Sequence, residues 1–118
     1  MKAYTDIEQS KTLAEFLPPE SADMMWEQHL TDKPYVTVKP WTTRGKSIGG
    51  HCRCCWSLAA LLNVLNDDYY TTLYHDGVAW NITAIHHDNV KDKHNVYANT
   101  PIDACVKMIL KLHELKML

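Results

Sequence analysis

Tyr70-Thr71-Thr72-Leu73-Tyr74-His75-Asp76-Gly77-Val78-Ala79-Trp80-Asn81-Ile82-Thr83-Ala84-Ile85 decides the fold. Two runs rich in aromatic and β-branched residues meet at Asp76-Gly77, a pair that suits a type I′ turn, whose twist matches antiparallel strands. Val78, Trp80 and Ile82 alternate with Ala79, Asn81 and Thr83, which predicts one inward face on the second strand. A polar connection, His87 to Lys93, leads to a third strand around Asn95 to Ala98. The expected unit is a three-stranded meander.

C-terminal to it, a helix is signalled at both ends of its first turn. Thr100 can cap it, Pro101 fits the first turn, and Asp103 meets the positive end of the dipole. Asp103, Lys107, Lys111 and Glu114 form a polar stripe; Ile102, Cys105, Met108, Ile109, Leu112 and Leu115 form a broad apolar face. That face is expected to exceed what one small sheet covers.

N-terminal to the meander, Trp56, Leu58, Ala59, Leu61, Leu62, Val64 and Leu65 are apolar almost all round and predict a central helix from near Cys55, ended by Asn66-Asp67-Asp68. Thr42 to Cys52 holds three of the four glycines and reads as a loop. Tyr35-Val36-Thr37-Val38, between Pro34 and Pro40, predicts a short edge strand. Glu20 to Leu30 is too short a run to choose between helix and irregular structure. Thr5-Asp6-Ile7-Glu8 has capping-box spacing, and Pro18-Pro19 stops the helix that follows. The predicted class is α+β: a small antiparallel sheet, a three-stranded meander with a short edge strand, carrying about three helices on one face.

A chain of 118 residues fits one domain, 1–118. Such a domain buries roughly two-thirds of its unfolded surface, enough for a core without metal or disulfide staples. The N-terminus lacks the apolar run of a signal peptide, and Leu58 to Leu62 is too short to span a bilayer. The chain therefore reads as cytoplasmic, with free thiols and no membrane partner. A net charge of −2 argues against nucleic acid. Lys39, Arg44, Lys46 and Arg53 form a local basic stretch, read as a solvated loop or a minor anion- or partner-binding surface. Gly45-Lys46-Ser47 lacks the earlier glycine and the following helix of a phosphate-binding loop. Helix, three strands, helix from Cys55 onward also has the outline of a double-stranded RNA-binding domain, but Asp103 stands where that domain needs cations.

Two constellations are candidates for chemistry. A cysteine at a helix N-terminus has a lowered pKa, which makes Cys55 a candidate nucleophile; His86 is the other catalytic candidate. Arg53-Cys54-Cys55-Trp56-Ser57-Leu58 resembles the nucleophile segment of papain-like cysteine peptidases, where a Cys-Trp pair opens the central helix. It departs from them at Cys54, where a small residue is expected, and no histidine matches the family's position. His51, Cys52 and Cys54 are candidate metal ligands, although structural zinc sites draw on two separated clusters. No cofactor is expected.

Tyr4-Thr5-Asp6-Ile7-Glu8-Gln9-Ser10-Lys11, Leu13-Ala14-Glu15-Phe16-Leu17-Pro18, Glu20-Ser21-Ala22-Asp23-Met24, Cys55-Trp56-Ser57-Leu58-Ala59-Ala60-Leu61-Leu62 and Asp103-Ala104-Cys105 resemble, in order, a family of short uncharacterised proteins of gut bacteria and their mobile elements. The resemblance implies no activity, cofactor or catalytic residue. It implies proline before Cys55, where this chain carries an insertion-like Gly49 to Cys54. The functional expectation is a small non-catalytic interaction or regulatory protein, a homodimer or an adaptor. The rival is a thiol-dependent hydrolase or transferase using Cys55.

Overall fold

The computed structural model describes the backbone of residues 2–28, 36–40, 52–116 and 118, and their side chains except those of residues 27, 28, 36–40, 52 and 53. It is an α+β fold, as the pattern predicts. The elements are α1 (Ile7–Ala14), a 3-10 turn (Pro19–Ser21), β1 (Met24–Gln28), β2 (Val36–Pro40), β3 (Cys52–Cys55), α2 (Leu58–Asn66), β4 (Tyr69–His75), β5 (Trp80–His86), β6 (Lys93–Ala98) and α3 (Pro101–Glu114).

The meander is present as an antiparallel sheet ordered β4-β5-β6, with Leu73, Ile82 and Val96 in register. A second antiparallel sheet, ordered β2-β1-β3, was not foreseen beyond its edge strand β2. Its central strand β1 comes from the stretch that was too short to assign. Its third strand β3 comes from residues read as loop and helix start. Cross-strand pairing supplied the order that local pattern could not.

Three boundaries move for physical reasons. Asp6, not Thr5, caps α1: its side chain accepts from the Gln9 N–H while the Gln9 side chain accepts from the Asp6 N–H. Thr5 is drawn away because its hydroxyl is buried and accepts the Trp56 N–H at 3.1 Å. Helix α2 begins at Leu58 with Ser57 as cap, so Cys55 ends a strand and does not sit at a helix N-terminus. The β4–β5 connection spans Asp76 to Ala79, not two residues. The Asp76 carboxylate accepts from the N–H groups of Val78 (2.9 Å) and Ala79 (2.8 Å), while Gly77 takes a φ of +96°. That side-chain clamp replaces the tighter turn and leaves Val78 in solvent.

One core joins α1 to α3. Leu13, Trp56, Leu61, Leu65, Ile82, Ile102, Met108, Ile109 and Leu112 are all fully buried in it. Helix α3 packs under β5 and β6, and α2 under β4. Helix α1 packs on β3 and touches α3. The apolar face of α3 is consequently covered along its length; Leu115 at its end is the exposed remainder. The expected surplus on that helix is not there.

Candidate interaction surface

Strand alternation gives the β4–β6 sheet two faces. Inward go Tyr69, Thr71 and Leu73 from β4, Ile82 and Ala84 from β5, and His94 and Val96 from β6, toward the helices. Outward go Tyr70, Thr72, Tyr74, Asn81, Thr83, Ile85, Lys93, Asn95 and Tyr97. Among the described residues no helix packs on this outer face.

The outer face is aromatic and sparsely charged. Tyr70, Tyr74 and Tyr97 are 66%, 44% and 62% exposed. Tyr74, Asn81 and Tyr97 lie in one row across the three strands; Thr72, Thr83 and Asn95 form the next, and Tyr70, Ile85 and Lys93 the third. Asn95 donates to the Thr83 hydroxyl at 2.9 Å, and Asn81 to Asp76 at 2.7 Å, so the polar side chains between the rings are held in place. The His87 ring lies 4.3 Å from that of Tyr70, and the Lys107 ammonium 5.1 Å from the centroid of Tyr97. A second ring thus adjoins Tyr70 at one margin, and an ammonium adjoins Tyr97 at the other.

The chain matches no family model, no curated protein and no solved structure. The surface must be read from its own chemistry.

Cys55 lies elsewhere, fully buried. Its Sγ faces Thr5 Oγ1 at 3.7 Å and donates to the Thr5 carbonyl at 3.5 Å. Thr5 Oγ1 in turn lies 2.8 Å from Ser10 Oγ. Burial pushes the Cys55 thiol above its ordinary pKa, and the hydroxyls of Thr5 and Ser10 offset this only in part. Those contacts satisfy the sulfur and bind the N-terminal segment to β3. Among the described residues no histidine is hydrogen-bonded to it. Burial raises Cys54 as well. His51 and the Cys52 side chain lie outside the described residues. Among the described residues no cluster of three metal-binding side chains occurs.

His86 belongs to a different cluster, which sequence reading missed. On the inner side of the sheet the Tyr69 hydroxyl donates to Asp92 Oδ2 at 3.2 Å, and His94 Nε2 meets Asp92 Oδ1. The His86 ring stands edge-on to Tyr69 at 5.2 Å, and its Nδ1 accepts the Asp88 N–H at 3.1 Å. Burial first, then Asp92, pushes the Tyr69 phenol up to about 12. Both carboxylate oxygens of Asp92 thus have partners, and the group closes the end of the sheet. The signal available beforehand was Asp92-x-His94: residues two apart share a strand face.

No helix among the described residues is long and apolar enough to cross a membrane.

Proposed function

We propose that the chain is a small non-catalytic interaction protein of the cytoplasm, and that it recognises a protein partner with the outer face of the β4–β6 sheet. The observation that carries this reading is the exposure of Tyr70, Tyr74 and Tyr97 on a face that no described helix covers. Tyrosine offers large, stiff, amphipathic contact area at low entropic cost, and interspersed Thr and Asn supply adaptable hydrogen bonds. A single-stranded nucleic acid also stacks on aromatic rings, but it needs a cationic groove along its backbone. Here Lys93 and Lys107 are the cations at the platform, and the net charge is −2. Membership of the gut-bacterial family resembled by the N-terminal, central and C-terminal segments belongs to the same proposal; it supplies no partner.

The test compares affinity capture from cell extract by the natural chain and by the triple variant Tyr70→Ala, Tyr74→Ala, Tyr97→Ala. A specific protein retained by the first and lost by the second, with the variant's circular dichroism unchanged, is the expected result. Identical captures would sink the reading.

A further inference from the structure

We propose that β4 pairs with the β4 of a second copy of this chain, antiparallel about a two-fold axis at Thr72, to make one continuous six-stranded sheet. The proposal stands first on the backbone of a strand edge, and its failure leaves the preceding reading intact.

The two free edges of the meander differ. At the β6 edge, Lys93 supplies charge and the Lys107 ammonium donates to the Tyr97 carbonyl at 3.2 Å, capping an outward-pointing backbone group. Lysines of this kind are how proteins prevent edge-to-edge pairing. β4, Tyr69–His75, has no lysine, acid or proline over its seven residues. It pairs with β5 residue for residue, without a bulge. Among the described residues nothing pairs with the backbone of its outer edge.

The direction of that backbone follows from the ladder. The Asp76 N–H donates to the Ala79 carbonyl, and the His87 N–H to the Asp68 carbonyl, at opposite ends of the β4–β5 pair. Antiparallel alternation from either end agrees: Tyr70, Thr72 and Tyr74 bond to β5, while Tyr69, Thr71, Leu73 and His75 point their N–H and C=O groups away from it. An antiparallel copy centred on Thr72 sets Tyr69 against the second His75 and Thr71 against the second Leu73, with the same two pairs again across the axis. These are the residues with outward groups, so about eight backbone hydrogen bonds form in register.

The side chains match the same axis. On the outer face Tyr70 meets the second Tyr74, and Thr72 meets its own counterpart, in the close non-hydrogen-bonded positions where Cβ atoms are about 4.5–5.5 Å apart. Aromatic pairs and Thr–Thr pairs are among the stabilising cross-strand combinations. The strand reads Tyr-x-Thr-x-Tyr in both directions about its centre. No like charges face each other between the two Tyr70–Tyr74 stretches.

Sedimentation equilibrium of the purified chain from micromolar to sub-millimolar concentration, with charge exchange at Thr72, tests the proposal. The natural chain should show twice the 13.6 kDa monomer mass in a concentration-dependent equilibrium. Thr72→Lys and Thr72→Glu, which lie on the exposed outer face, should each weaken dimerisation several-fold to about tenfold by setting like charges opposite one another. An equimolar mixture of the two should recover the dimer. A natural chain that stays monomeric, a dimer indifferent to either charge, or a mixture that fails to recover it would each overturn the proposal. Should either variant lose its circular dichroism signal, Thr72→Cys reads the same axis: a covalent dimer must form on mild oxidation, and its absence counts as refutation.

Discussion

The inner and outer faces of the β4–β6 sheet are built from alternate residues of the same three strands, yet they obey different rules. Inside, Ile82 and Ala84 are fully buried and Val96 nearly so. Outside, the largest side chains are tyrosines in solvent. The inner residues are explained by the helices they meet. The core does not bury Tyr70, Tyr74 or Tyr97, which stand on the solvent side of the same strands. An antiparallel sheet can thus pack one face on a core and leave the other to solvent.

Breaking the inner face has the largest expected effect. Ile82→Ala removes a fully buried branched side chain from the strand that packs on α3 and should cost about 2–5 kcal/mol in urea unfolding; a loss below about 1 kcal/mol would mean that this face is not packed as described. Next comes Asp92→Ala, which leaves the Tyr69 hydroxyl and His94 without their partner and should cost about 1–3 kcal/mol. The same variant should move a titration. Tyr69 is raised to about 12 when folded, against about 10 when unfolded. The stability linked to it is therefore complete below pH about 10 and is lost as pH climbs toward 12. Ultraviolet phenolate absorbance should show a late phase near pH 12 from Tyr69 that moves earlier in Asp92→Ala. A natural chain and an Asp92→Ala variant with the same late phase, or with none, would contradict the cluster.

The outer side and its turn should respond more gently. Asp76 is held down to about 2, chiefly by the Ala79 and Val78 N–H groups and then by Asn81. A depressed carboxylate contributes stability above its unfolded value near 4, and that contribution fades as pH falls through 2. Carboxyl chemical shifts followed by nuclear magnetic resonance should give a midpoint near 2; one near 4 would remove the clamp from the turn. Smallest of all, Tyr70→Ala or Tyr97→Ala should change unfolding stability by no more than about 0.5–1 kcal/mol. A larger loss would show that the outer face is structural after all and erase the contrast.

How far the sequence revealed this depended on the range of the interactions. The last helix was legible from Thr100, Pro101 and Asp103, since caps and dipoles act within one turn. The meander was legible because hairpins are local, although the carboxylate of Asp76 lengthened its first turn. The first sheet was not. β1 and β3 are only five and four residues long and pair across an interval of more than twenty. For the cap, Thr5-x-x-Glu8 and Asp6-x-x-Gln9 both fit the pattern; a distant backbone group, Trp56 N–H, decided between them. Cys55 read as a helix-terminal thiol because Trp56 and Leu58 look helical, whereas β3 extends through it. The Tyr69–Asp92 contact spans 23 positions and could not be seen, although Asp92 and His94 could have been paired by their spacing.

The tie between Thr5 and Trp56 carries a kinetic consequence. Fifty-one positions separate them, and four hydrogen bonds involving Thr5 and the Cys55–Trp56 backbone or thiol close that loop. Loop closure of this length is slow compared with winding a helix. During synthesis, α1 can wind early, but it cannot take its final seat until the ribosome has released β3. The order of emergence makes the first helix wait for the middle of the chain before it locks.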